Sequence, residues 1–223
     1  MGLSLFGGRR RPLARLSVAA ALVLGGGGVV ALTASSASAA CTDIEMISAR
    51  GTFEPGNLGV IVGDPVFSAL QRRATGKTLS SYAVDYPANL SPTSAAQGNT
   101  DLVNRVRSQA ASCPDQQFVL VGYSQGANVV NNSIGVSSAG AVVGSPIVAS
   151  IPADLEPRVA AVLQFGNPIR AQGRSITGTY ESRTLDICAS GDPVCEARGG
   201  NTLAHLGYRS NANEAAEFAA SKF

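Results

Sequence analysis

The apolar run Phe118-Val119-Leu120-Val121 passes directly into Gly122-Tyr123-Ser124-Gln125-Gly126, and that junction constrains the fold more than any other stretch of the chain. The run predicts a buried strand. The G-x-S-x-G after it predicts a sharp strand-to-helix turn that lifts the serine hydroxyl above the sheet edge. Ala127-Asn128-Val129-Val130 can start the helix, whose N-terminus favours negative charge developing near Ser124. The bare pattern also occurs in ordinary turns, and the preceding strand is what gives it weight.

A serine nucleophile needs a base, and a neutral imidazole suits neutral pH. The chain offers one histidine, His205, near its C-terminus. The carboxylates between the two are Asp154, Glu156, Glu181, Asp186, Asp192 and Glu196. Asp154 and Glu156 fall in a proline-flanked polar stretch, a solvated loop. Asp186 falls within Thr184-Leu185-Asp186-Ile187-Cys188, a strand pattern. Asp192 is favoured. It lies in Cys188-Ala189-Ser190-Gly191-Asp192-Pro193-Val194-Cys195, a short loop bracketed by cysteines and stiffened by proline, and an imidazole-orienting carboxylate benefits from such a mount. The competing reading is plain turn chemistry, since Gly-Asp-Pro is a good turn. The order Ser, acid, His is that of α/β-hydrolases.

Four cysteines, Cys41, Cys113, Cys188 and Cys195, allow three pairings. The most economical closes Cys188–Cys195 around Asp192 and leaves Cys41–Cys113, whose long loop would contribute on the order of 4 kcal/mol. The spacing lacks the paired C-x₂-C of a zinc site, so no metal is expected. The N-terminus points to an oxidising destination. Arg9, Arg10, Arg11 and Arg15 form a basic region, Leu16 to Leu32 is apolar, and Ala37-Ser38-Ala39 is a small-residue cleavage site. Residues 1–39 therefore read as a secretory signal peptide and 40–223 as the mature chain. An uncleaved anchor is the competing reading. The adjacent arginines raise a twin-arginine route, though the surrounding pattern is weak. The formal charge of +2 belongs to that leader. It holds four arginines and no acid, so 13 basic against 15 acidic residues leave the rest at −2. Nothing argues for nucleic-acid binding or for membrane insertion after cleavage.

The remaining residues suit one domain with a substantial core. Expected strands are Ile44–Ile47, Leu79–Tyr86, Phe118–Gly122, Val159–Phe165 and Thr184–Cys188. Expected helices are Val60–Arg73, Asn99–Ser112, one after the elbow, and Asn213–Lys222. Strands alternating with helices and apolar on both faces predict an α/β fold of three layers around a central parallel sheet.

Four segments together resemble the cutinase family of serine esterases, in its actinobacterial cutinase-like branch. They are Ala49-Arg50-Gly51-Thr52, Gly122-Tyr123-Ser124-Gln125-Gly126, the Cys188 to Cys195 loop with Asp192-Pro193-Val194, and Ala204-His205-Leu206-Gly207-Tyr208. The resemblance implies an α/β-hydrolase-like fold, with Ser124 as nucleophile, His205 as base and Asp192 as the acid that orients it. It also implies an oxyanion hole from the N–H groups of Thr52 and Gln125, with the Thr52 hydroxyl assisting. The Thr52 methyl and Phe53 would narrow the acyl site. Leu90 and Leu206 are candidates for an apolar substrate rim, although isolated leucines are as often core. No cofactor is implied. The expected partner is a lipid-like or polymeric ester, acted on by a secreted monomer that cleaves short- to medium-chain carboxylic esters. An acetylxylan esterase is one alternative. A thioesterase or acyltransferase would share the same triad. A secreted interaction protein with a vestigial site is an alternative of another class.

Overall fold

A computed structural model describes residues 41–223, and the expected leader lies outside the described residues. Five strands form one parallel sheet: β1 Ile44–Ala49, β2 Leu79–Ala83, β3 Gln117–Tyr123, β4 Val159–Phe165 and β5 Thr184–Ile187. Their order is β2-β1-β3-β4-β5. The helices are α1 Gly63–Arg73, α2 Ser94–Ser112, α3 Gln125–Ser133, α4 Thr202–Leu206 and α5 Ala212–Ala220. The expected α/β class and three layers are those observed.

Every residue of β1 and β4 is buried, because helices cover both faces of the sheet. Alternation divides the core in two. Ile44 and Met46 of β1, Val119 and Val121 of β3, and Leu163 of β4 pack with Val66 and Leu70 of α1 and Ala215 and Ala219 of α5. Ile47, Leu120 and Val162 pack on the other side with Leu102 and Val106 of α2 and Val129 and Val130 of α3. A register shift opposite Phe118/Val119 places Val159 and Ala161 in different halves despite their spacing of two. Burying a Val or Leu side chain is worth about 1.5–3 kcal/mol, so these two layers are the main source of cohesion.

Several element ends differ from expectation by one to five residues, and one helix is additional. β2 stops at Ala83, short of Tyr86, where the Asp85 N–H turns to the Asp101 carboxylate (2.9 Å). α2 begins at Ser94, five residues early. Gly98 lies inside it, where a Cβ would come within 2.8 Å of Val129, so the glycine serves the close approach of α2 to α3. α4 was not anticipated. It is only five residues long and is capped by the Asn201 side chain, which accepts from the N–H groups of Leu203 and Ala204.

The strand order places a topological switch point between β1 and β3. From β1 the chain first builds outward to β2, then returns to the other side. In open α/β sheets ligands bind outside the carboxyl ends of strands at such a point. The chain leaving β1 there carries Thr52, and the chain leaving β3 carries Ser124.

Candidate active site

Ser124 joins β3 to α3 with φ 53° and ψ −116°, a backbone that side chains other than glycine rarely adopt. Its neighbours explain why the turn can be so tight. A Cβ on Gly126 would lie 1.8 Å from the Ala49 carbonyl oxygen, and one on Gly122 would lie 2.7 Å from Ala127 Cα. The elbow therefore sits directly on the backbone leaving β1. The Ser124 N–H donates to the Phe165 carbonyl (2.9 Å), which fixes the turn to β4.

His205 and Asp192 reach this serine from the C-terminal part of the chain. His205 Nε2 lies 3.0 Å from Ser124 Oγ, and His205 Nδ1 lies 2.8 Å from Asp192 Oδ2. A carboxylate oxygen accepts, so Nδ1 carries the proton and Nε2 is left to accept from the hydroxyl. Asp192 is 0 % exposed and Ser124 is also buried, while the His205 side chain between them is 16 % exposed, so the carboxylate end of the series is the dry one. Both carboxylate oxygens are occupied. Oδ1 accepts from the Val194 N–H (2.8 Å), and Oδ2 accepts from the Tyr208 hydroxyl as well as from His205. The other carboxylates weighed for this position stay away from the imidazole. Asp186 bonds Asn167 and Arg170, and Glu156 accepts from Thr179.

The mount beneath Asp192 is covalent and hydrogen-bonded. Cys188 and Cys195 are bridged, as are Cys41 and Cys113, and among the described residues no cysteine is free. The Asp192 N–H donates to Ala189, the Glu196 N–H to Asp192, and the Asn201 N–H to Gly191. Gly166 (φ 56°) packs against the pair, since a Cβ there would lie 2.9 Å from His205 Cε1 and 3.1 Å from Asp192 Oδ2. Tyr123 supports the imidazole from the end of β3. Its ring centroid is 5.0 Å from that of His205, and its hydroxyl donates to the His205 carbonyl (2.7 Å).

Thr52 lies in a turn closed by the Glu54 N–H to Gly51 carbonyl bond. The Glu54 carboxylate accepts from the N–H groups of Gly51 (2.6 Å) and Ile61 (2.7 Å). Burial pushes the Glu54 pKa up, against those donors. The Phe53 N–H donates to Ala88, while the Thr52 N–H has no acceptor among the described residues. Gln125 is the first residue of α3, so its N–H has no partner within the helix. Its side chain is held on both sides, donating to the Asn89 carbonyl (2.8 Å) and accepting from the Ser94 hydroxyl (3.2 Å). Leu90 and Leu206 are exposed, not core, and so are Phe53 and Leu203, at 69 % and 74 %.

No sequence pattern marks a role for Tyr123, Gly166 or Tyr208. Tyr208 was visible three residues after His205. Tyr123 and Gly166 touch the imidazole only through the sheet, and no spacing along the chain reveals that. Among the described residues no group of three His, Cys, Asp or Glu side chains could hold a metal, and no helix is long and apolar enough to cross a membrane.

Known proteins resemble this chain in sequence and in fold. The family model described as Cutinase matches residues 40–223. The chain is 44 % identical over 219 residues to a protein named Cutinase from Kineococcus radiotolerans, covering 95 % of this chain and 72 % of that one. It is 38 % identical to Phospholipase Culp4 of Mycobacterium tuberculosis, covering 96 % of this chain and 93 % of that protein. A Trichoderma reesei cutinase solved with a phosphonate inhibitor superposes with TM-score 0.64 at 34 % identity, over 80 % of this chain and 75 % of that one. An acetyl xylan esterase structure shares the fold, with TM-score 0.70 at 23 % identity, over 82 % of this chain and 99 % of that one. This chain belongs to the cutinase family and is a carboxylic ester hydrolase of the cutinase type.

Proposed function

We propose that the enzyme cleaves short- to medium-chain carboxylic esters, lipid-like or polymeric, through an acyl-enzyme on Ser124. The observation that carries this reading is the unbroken series Ser124 Oγ, His205, Asp192, at 3.0 and 2.8 Å. Imidazole Nε2 takes the hydroxyl proton as Oγ attacks the ester carbonyl. The oxyanion is held by the Thr52 and Gln125 N–H groups, at the positive end of α3. The imidazolium returns the proton to the departing alcohol. Water then repeats the sequence on the acyl-enzyme, releasing the acid. Asp192 keeps the proton on Nδ1 and stabilises the imidazolium. The exposed apolar side chains of Phe53, Leu90, Leu203 and Leu206 suit an aggregated or polymeric substrate better than a small polar one. Export of the chain from residue 40 onward, as a monomer, completes the proposal. Two disulfides in a single domain fit an oxidising compartment.

Hydrolysis of p-nitrophenyl esters from acetate to palmitate tests this, with Ser124→Ala as control. The expected result is an optimum at short to medium chains and a loss of about 10⁴-fold or more in kcat for the variant. A sharp preference for acetate would shift the assignment to an acetylxylan-type esterase. No turnover and no labelling by a fluorophosphonate, in folded protein, would leave only a binding role.

A further inference from the structure

We propose that Tyr208 is a positioning residue for the Asp192–His205 pair, fixing the carboxylate and setting the basicity of the imidazole. This rests on the triad reading above. Tyr208 is 1 % exposed and stands in a 3₁₀ turn (Tyr208–Asn211) directly after α4. Its hydroxyl donates to Asp192 Oδ2 at 2.5 Å, the same oxygen that accepts from His205 Nδ1. It accepts in turn from the Ala189 N–H (3.0 Å), at the base of the disulfide loop. The phenol therefore ties the turn after His205 to the loop carrying Asp192. It also competes with the imidazole for the same negative charge.

That competition has a definite sign. A donor on Oδ2 spreads the carboxylate charge and makes the neighbouring imidazolium less favourable. Removing the donor leaves more charge facing Nδ1, so His205 holds its proton to higher pH. The phenol remains a donor throughout the working range, because burial, then the bond to Asp192, pushes its pKa well up. The charged groups around the pair are unchanged by the substitution, which leaves the Ala189 N–H without its acceptor. From β3 comes the Tyr123 ring, itself buried and near the Glu54 and Asp192 charges. From the acid loop come the Val194 N–H and the Glu196 carboxylate, the latter engaged by the Gly191 N–H. Among the described residues no lysine or arginine hydrogen-bonds Asp192, so the phenol is the only side chain besides His205 that donates to it.

Tyr208→Phe keeps the edge-on ring contacts with Phe165 and Tyr123 and deletes only the hydroxyl. His205 is the sole histidine, so an NMR titration of the imidazole needs no further assignment. The expected result is an upward shift of about 0.5–1 pH unit in the His205 titration and in the acid limb of kcat/KM. Plateau activity should fall by no more than about 10-fold. Site-specific 3-fluorotyrosine at position 208, a stronger donor of the same shape, should move both midpoints downward. That protein decides the matter if Tyr208→Phe fails to fold. Midpoints unmoved in both proteins, whatever happens to Tm, would overturn the proposal. Retained activity in Ser124→Ala would instead overturn the triad reading beneath it.

Discussion

The two halves of the site are held in place by different means. Ser124 and Gln125 sit at the end of β3, flanked by β1 and β4 and packed from both faces. Sheet register and helix packing fix them, and the same rigid surroundings maintain the unfavourable Ser124 backbone. Asp192 and His205 follow β5, an edge strand of four half-buried residues. A bridged loop, a single-turn helix and a set of hydrogen bonds fix them instead. A core can hold position, even a strained backbone, through its packing, whereas chain beyond the last strand must be tied residue by residue.

The two disulfides mark this difference and give the two sharpest ways to break it. Cys41 and Cys113 precede β1 and β3, at the sheet edge opposite the site, and are 72 residues apart. In the chain-entropy model, replacing both by alanine costs about 4 kcal/mol, which is a fall of about 8–16 °C in Tm. At 25 °C, kcat/KM of the folded protein should be unchanged. A matching loss of activity would show that the elbow half also depends on a covalent tie.

Replacing Cys188 and Cys195 is the opposite experiment. Their separation is only seven residues, so the same model gives a smaller stability effect of about 2.5 kcal/mol. Activity should fall more steeply, by about 10²-fold in kcat/KM, because a loosened Asp192 no longer fixes the imidazole. Ester hydrolysis beside thermal unfolding separates the two effects. Less than a threefold loss would mean that the bonds of Asp192, Glu196 and Asn201 hold the acid loop without the bridge.

The same contrast explains what could be read from the sequence. Phe118 to Val121 is a continuous apolar run and G-x-S-x-G a steric signature, so the fold around Ser124 was legible locally. Asp192 stood out among six carboxylates only because cysteines bracket it. α4 carries His205 but has no apolar periodicity at five residues, and its sequence sign was a single capping Asn201. The start of α2 was hidden because Gly98, a poor helix former, is there to admit Val129, and tertiary packing overrides propensity. Tyr123 and Gly166 meet the imidazole only once β3, β4 and the C-terminal segment are assembled, which no one-dimensional pattern contains.

A buried polar chain joins the two halves and yields the smallest expected effect. Gln164 of β4 donates to Asn131 of α3 (3.0 Å), Asn131 to Asn167 (2.8 Å), and Asn167 to Asp186 of β5 (2.8 Å). Burial pushes the Asp186 pKa above its ordinary 3.8, with Asn167 and Arg170 opposing. A carboxyl whose folded pKa is raised contributes its full stability below pH 3.8 and loses it as pH rises through the folded value. Asp186→Asn keeps an acceptor for Asn167 and removes the charge. Its Tm should therefore exceed that of the parent by about 2 °C at pH 7, and the difference should close as the pH falls to 3.8. Arg170 is exposed, so its lost ion pair weighs little. Thermal unfolding from pH 3 to 8 decides this. A variant less stable than the parent at pH 7 would mean that the Arg170 ion pair outweighs burial, and that charge, not the amide chain, fastens β5 to the elbow half.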